Sequence, residues 1–301
     1  MNKQTSILIL GASGFIGSAF LTKLKEKGYQ NISVLQRKSK VFQHDDITIY
    51  NGDIRSFEWN NLQEIPDFIF HFARINSIKF RSVGRLWAAL QGKKANEKLL
   101  NFFKSQTKQP KIVYMSGSLM YGNDTELVDE DHIINPISFA RQYIIAEKPF
   151  IKDTFKANSS VHLVRVPWVL GEGSWFFSFY LKYIQQNKKV PIYGNGKNIM
   201  SIISLEDVTE FLTFFIEERL PLSINLTSDI FVSQRYFAEA IAQKYNMPIS
   251  YIPLQNYEKA VREAFESSIY LSSKYSHLKN YIKYSNLDAL LSKYLLSLED
   301  I

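Results

Sequence analysis

The 301-residue chain contains no cysteine, which removes disulfides, thiol nucleophiles and cysteine-ligated zinc from consideration. Its histidines, His44, His71, His132, His162 and His277, are too scattered along the sequence to group around a metal, so no metal site is expected. Proline is scarce at 9 residues, while hydrophobic residues make up 46% and charged residues 22%, proportions that exclude a disordered or fibrous chain. No apolar run approaches the roughly 20 residues that span a bilayer, and Met1-Asn2-Lys3-Gln4 enters the first apolar stretch at once, leaving no room for a signal peptide. A cytoplasmic protein with no membrane partner is expected. The formal charge of +7 is spread along the chain without long blocks of one sign, which fits an anionic small molecule or a solvated basic surface better than nucleic acid.

What is present begins with Ser6-Ile7-Leu8-Ile9-Leu10, an apolar run too short for a helix, followed by Gly11, Gly14 and Gly17 at three-residue intervals and then by Ala19, Phe20, Leu21 and Leu24. This reads as strand, tight turn, helix, the arrangement of a dinucleotide site. Gly11 permits the turn, Gly14 lets the backbone approach a pyrophosphate, and Gly17 lets the helix pack on the strand. A second strand over 31–35 ends at Gln36-Arg37-Lys38, where folds of this kind read the adenosine ribose. No acid stands there to accept from a 2′-hydroxyl, and Arg37 and Lys38 suit a 2′-phosphate, so NADP is preferred over NAD. Asp53, after the strand over 47–50, is placed to accept from an adenine amino group with Ile54 against the ring; the alternative is an ordinary turn aspartate.

Phe68-Ile69-Phe70-His71-Phe72-Ala73 reads as a further strand, with His71 a core histidine, and the basic residues Arg74, Lys79, Arg81 and Arg85 follow it. Such a cluster at the carboxyl end of a strand either holds an anionic substrate or is a solvated basic face. Helical spacing from Leu86 through Phe103, a strand at 111–115, a helix from about Pro136 and a strand at 160–166 continue the alternation. The pattern predicts an α/β fold, a Rossmann-type doubly wound parallel sheet with a smaller C-terminal substrate lobe. The expected division is a dinucleotide-binding domain over 1–166 and a mixed region over 167–301, joined without a linker. A final helix from Leu287, capped by Ser285 or Asn286, is expected to pack on its own domain.

The chain resembles the extended short-chain dehydrogenase/reductase family, in its NAD-dependent epimerase/dehydratase branch acting on nucleotide sugars. The residues that carry the resemblance are Gly11/Gly14/Gly17, Gly52-Asp53-Ile54, His71-Phe72-Ala73, the stretch Ser116 to Gly122, Arg165 before Gly171-Glu172-Gly173, Gly194-Asn195-Gly196, and Leu205-Glu206-Asp207-Val208. The resemblance implies a nicotinamide cofactor held by Gly11, Ser13, Gly14, Phe15, Ile16, Gly17, Arg37, Lys38, Asp53, Ile54, Phe72, Ala73, Arg74 and Pro167. It also implies a small-molecule substrate, and a homodimer formed through helices beginning near Leu86 and Ser138.

Family members move a proton with a tyrosine, lower its pKa with a lysine four residues on, and hold the reacting oxygen with a serine or threonine. Counted from Pro136, the tyrosine position is Phe139 and the lysine position is Tyr143; counted from Tyr121-Gly122, Tyr143 is the tyrosine and Glu147 stands in place of the lysine. Gly117 occupies the usual hydroxyl position, flanked by Ser116 and Ser118, and Trp168 stands where the family has an asparagine near its substrate. Two readings remain open. In one, the protein is an enzyme in which Tyr143 or Tyr121 transfers the proton with help from Ser116 or Ser118. In the other, it binds NADP without turnover, as a sensor or an assembly subunit.

Overall fold

The computed structural model describes residues 3–37, 46–75 and 81–295; Lys38 and Lys79 lie outside them. Strand β1 (Ile7–Leu10) leads through the glycine turn into helix α1 (Phe15–Glu26), which buries Gly17, Phe20, Leu21 and Leu24. Strands β2 (Ile32–Gln36), β3 (Thr48–Asn51) and β4 (Phe68–His71) follow, then helix α2 (Arg81–Lys104) and strand β5 (Lys111–Gly117). After the short β6 (Leu127–Val128) come α3 (Arg141–Thr154), β7 (Val161–Val166) and β8 (Trp168–Leu170). A π-helical turn over Phe177–Leu181 runs into α4 (Lys182–Asn187) and β9 (Val190–Tyr193). The later elements are β10 (Ile199–Ser204), α5 (Leu205–Glu217), β11 (Ser223–Asn225), β12 (Ile230–Ser233), α6 (Gln234–Tyr245), β13 (Ile249–Ile252), α7 (Lys259–Glu266), β14 (Tyr270–Leu271) and α8 (Leu287–Leu295).

Contacts divide the chain into two compact units. The first takes Met1–Ser116, Gln142–Val164 and Thr209–Ile224; the second takes Gly117–Arg141, Arg165–Val208 and Asn225–Ile301. The principal sheet has seven strands in the order β11-β7-β5-β4-β1-β2-β3. Strands β3, β2, β1, β4 and β5 run parallel to their neighbours, with Leu8 opposite Ser33 on one side and Ile69 on the other. Parallel strands buried on both faces read as continuous apolar runs, and all of β1 and β4 is buried. The strand order reverses between β1 and β4. In doubly wound sheets that reversal opens the ligand crevice, at the carboxyl ends of the strands. The core beneath it gathers Leu8, Leu10, Ile69, Ile112 and Leu163 from the strands with Leu99 and Phe103 of α2 and Phe150 of α3.

In the second unit, β10 pairs antiparallel with β12 and parallel with β8, while β9 pairs with β13. Its core is aromatic, with Phe176, Tyr180, Tyr193, Phe237 and Phe265 packed around Ile202 and Leu290. Asn286 caps α8 by accepting from the Ala289 N–H at 2.9 Å, and Leu287, Leu290, Leu291 and Leu295 are buried, as the apolar stripe predicts.

One helix start differs from the sequence expectation. The helix expected from Pro136 begins at Arg141, because Ile137–Ala140 forms a turn in which the Ile137 carbonyl accepts from both Ala140 and Arg141. The Ser138 N–H is taken by the Glu263 carboxylate at 2.8 Å. The helical segment ahead of β9 contains a π-turn, and the Phe179 carbonyl accepts the Tyr193 hydroxyl; a side chain competing for a helix carbonyl is one origin of such irregularity.

Candidate active site

At the carboxyl end of β1, Gly11 has φ +87°, and a Cβ there would lie 2.7 Å from the Ala73 nitrogen. A Cβ at Gly17 would overlap the Gly11 carbonyl. Both positions require glycine, the first for backbone conformation and the second for closeness of helix to turn. Gly14 is the N-cap of α1 and contributes no side-chain cap, so the first turn of the helix presents backbone N–H groups as an anion site does. Ala12 is buried under the turn, Ser13 and Gly14 are exposed, and Phe15 and Ile16 are half-buried.

The neighbouring strand ends bring further residues to this side. The Phe72 N–H donates to the Leu10 carbonyl at 2.8 Å, which holds Phe72-Ala73-Arg74 beside the glycine turn. The Gly52 N–H donates to the Gln36 carbonyl at 2.8 Å and sets Asp53 next to the end of β2, where Arg37 is exposed. The Arg55 guanidinium grips the Asp53 carboxylate at 2.7 and 2.9 Å. That hydrogen bond holds the Asp53 carboxyl below the usual carboxylate range, against the opposing effect of burial. Ile54 is buried beside it. Pro167 follows β7 in the second unit and is buried.

A cavity of about 270 Å3 opens in the first unit, between the ends of β4 and β5 and helices α2 and α3. Arg74, Arg85, Asn96, Tyr114, Gln142 and Tyr143 supply its polar lining, and Ala73, which also lines it, lies against Gly11 of the glycine turn. Its helical wall is made of small residues, Ala88, Ala89, Gly92 and Ala146. A Cβ on Gly92 would come within 2.9 Å of the Ala146 Cβ, which shows how closely α2 and α3 approach. The Arg74 guanidinium lies over the Tyr143 ring, 4.7 Å from its centroid, within the range of a cation–π contact.

Behind the cavity, polar groups lock the elements together. His71 Nε2 is 3.0 Å from Asn96 Oδ1, and Asn96 Nδ2 donates to the Ala146 carbonyl at 2.8 Å. Because the amide nitrogen of Asn96 donates to Ala146, its oxygen faces His71, which donates from Nε2. Burial lowers its pKa to about 4. Ser116 Oγ donates to the Glu147 carboxylate at 2.6 Å, and both side chains are buried. Tyr114 is pushed up by burial and by the Glu147 charge, with Arg74 acting the other way.

The four candidate acid–base residues thus stand in different situations. Tyr143 lines the cavity on α3, whereas Ser116 is buried with its proton directed to Glu147. Tyr121, in the second unit, is buried and donates to Asn225 Oδ1 at 2.8 Å, and burial raises its pKa. Ser118 is buried in the turn after β5. Phe139 lies in the turn before α3, whereas Tyr143 and Glu147 both lie on the helix. Sequence reasoning did not single out Asn96 or the small-residue wall. The available signals were a polar residue on the apolar face of α2, and Ala88, Ala89, Gly92 and Ala95 recurring on one side of it.

Among the described residues there is no grouping of side chains suited to a metal ion, and no helix long and apolar enough to cross a membrane. A parallel sheet with its strand reversal at a glycine turn, beside a lined cavity, defines a doubly wound nucleotide-binding fold. The sequence matches the NAD dependent epimerase/dehydratase family over residues 7–226, and the chain belongs to that family. It is 24% identical over 219 residues to UDP-glucuronate 4-epimerase 4 of Arabidopsis thaliana, a match covering 65% of this chain and 50% of the relative. The match thus spans about half the length of that curated relative. Its fold is similar to that of the UDP-N-acetylglucosamine 4-epimerase from Methanobrevibacter ruminantium solved with UDP-N-acetylmuramic acid, with a TM-score of 0.75, 17% identity, and 98% and 99% of the two chains covered. It is also similar to dTDP-glucose 4,6-dehydratase from Bacillus anthracis in complex with NAD, with a TM-score of 0.74, 17% identity, and 93% and 92% covered.

Proposed function

We propose that this protein binds a nicotinamide dinucleotide and acts on a nucleotide-linked sugar, with Tyr143 as the group that donates or accepts the hydroxyl proton. The observation that supports the reading is the cavity between the ends of β4 and β5, lined by Tyr143 and by Ala73, which lies against Gly11 of the glycine turn. The residues present fit the cofactor. Gly11 and Gly17 let the turn pass close to Ala73 and to the helix, where a Cβ would strike backbone, α1 presents its uncapped first turn to a pyrophosphate, and Asp53 and Ile54 are the residues proposed against an adenine. Arg37 and Lys38 favour NADP over NAD. When bound, the cofactor supplies hydride acceptance and return.

The chain's own part is orientation and proton management. Tyr143 sits on α3, and Arg74 holds a positive charge over its ring. Glu147, one turn on, cannot serve as the family's lysine does, since its carboxylate is engaged by Ser116. That engagement specifically favours the second reading, in which the protein binds cofactor and ligand without turnover. The second unit, with its aromatic core, is proposed as the substrate lobe. Leu86, Trp87 and Leu90, all exposed on α2, form the face through which a homodimer is proposed.

The deciding experiment gives the cofactor-loaded protein a panel of nucleotide sugars and follows the sugars by NMR, because a hydride that is accepted and returned leaves no net change in nicotinamide absorbance. Conversion of any of them, lost in Tyr143→Phe, supports the enzyme. Saturable cofactor binding without conversion across the panel supports the non-turnover form. Failure to bind either dinucleotide removes both.

A further inference from the structure

The cavity has more positive charge than acid–base chemistry requires. Arg74, just past β4, and Arg85, on α2, both line it, and no aspartate or glutamate is among the described residues that do. The Glu147 carboxylate, whose charge is felt at Tyr114, is not part of the lining and is engaged by Ser116. The Asn96 side chain uses both ends of its amide on His71 and Ala146. The two guanidinium groups therefore set the charge character of the space.

Resting on the reading above, we infer that Arg74 and Arg85 recognise an oxyanion on the ligand, the carboxylate of an acidic nucleotide sugar. The Arg74 guanidinium lies over the Tyr143 ring, 4.7 Å from its centroid, and its N–H groups project in its own plane. A planar fork of donors matches a carboxylate with two parallel hydrogen bonds, which a lysine cannot do. Apolar walls of Ala88, Ala89 and Ala146 lower the local dielectric and strengthen such a pair. The volume of about 270 Å3 falls just below the roughly 300–1,000 Å3 of pockets that take whole small molecules. It receives one charged end of a ligand.

An oxyanion reaches this site from either of two sources, the sugar itself or a phosphate of the cofactor. Calorimetric titrations separate them. NAD-loaded wild type, Arg74→Met, Arg85→Met and Arg74→Lys are each titrated with UDP-glucuronic acid and UDP-glucose, and the protein without cofactor is titrated with NAD and NADP. Wild type is expected to prefer the glucuronic acid form by roughly 10- to 100-fold, the worth of a charged hydrogen-bonded contact. Arg85→Met is expected to abolish that preference while UDP-glucose and NAD affinities stay within about twofold; Arg74→Met is expected to abolish it as well, and Arg74→Lys to recover only part of it. Equal binding of the two sugars by wild type overturns the inference, as does equal weakening of both by the variants. Loss of NAD or NADP affinity in Arg85→Met overturns it in favour of the cofactor's phosphate. If wild type binds NAD and UDP-glucose normally but shows no preference, only this inference falls; if it binds neither, the proposed function falls with it.

Discussion

Ser116 donates its hydroxyl proton to the Glu147 carboxylate across 2.6 Å, with both side chains only 1% exposed. A buried carboxylate is tolerated when its oxygens are hydrogen-bonded and becomes costly when they are not. Glu147→Ala strips Ser116 of its acceptor and is expected to lower stability by about 1–3 kcal/mol, read from urea unfolding midpoints. Glu147→Lys, which puts a lysine at the position counted from Tyr121-Gly122, is expected to be worse than Glu147→Ala, because it buries an ammonium against a hydroxyl. A gain of stability with Lys would show that the site is not closed around a carboxylate.

Gly17→Ala directs a methyl into the Gly11 carbonyl, and that backbone cannot move without disturbing the turn. A loss of roughly 2 kcal/mol or more is expected, together with loss of dinucleotide binding. Gly28→Ala provides the contrast: its Cβ would meet no atom within 4 Å, so only the φ of +78° opposes it. A cost of about 1 kcal/mol, with binding retained, is expected there. Differential scanning calorimetry and a dinucleotide titration read both effects.

Two groups give the stability a defined acid limb. His71 has its folded pKa lowered by burial to about 4 from 6.5, so the unfolded chain takes the proton first. Stability is complete above about pH 6.5 and falls as pH drops toward about 4. Glu206 behaves as a depressed carboxylate. Burial works to raise it, but Lys283, Lys293 and Tyr284 hydrogen-bond to it and bring it to about 2. Its contribution is present above pH 4.5 and lost as pH falls toward 2, on the order of 1–2 kcal/mol after allowance for solvent screening. Glu206→Gln is expected to flatten the lower window and leave the upper one unchanged in urea midpoints measured from pH 8 to pH 2.5.

Arg37 is exposed at the end of β2, next to the turn carrying Asp53. Arg37→Asp is expected to shift the NADP-to-NAD affinity ratio by roughly tenfold or more toward NAD, measured by competitive titration. An unchanged ratio would remove Arg37 from the ribose site.

The α2 face makes its own prediction. Trp87 and Leu90 are 49% and 44% exposed, an arrangement that large apolar side chains keep when another surface covers them. Trp87→Glu combined with Leu90→Glu is expected to convert a dimer into a monomer by light scattering, with the circular dichroism unchanged.

Much of the first unit could be read from the sequence because its signals are local. The strand before Gly11 and the apolar spacing after Gly17 fix β1 and α1, and the basic residues after β4 announced the two arginines that line the cavity. Glu147 was different. Between Ala146 and Lys148 on a helix it has the pattern of a surface residue, and its burial depends on a serine 31 positions away. Asn96 is hidden for the same reason, since its partners lie on β4 and α3. The start of α3 was misplaced because the competing turn at Ile137–Ala140 is held by Glu263, far along the chain.

The amide of Asn96 has a role that a catalogue of active-site residues would pass over. One end holds His71 on β4, the other holds the carbonyl of Ala146, and Tyr143 sits three residues before that carbonyl on the same helix. Tyr143 is therefore indexed to the sheet through a neighbour's backbone. Asn96→Asp would replace the donor facing Ala146 with an acceptor, so the aim of the phenol is governed by a side chain whose own hydrogen bonds run to β4 and α3.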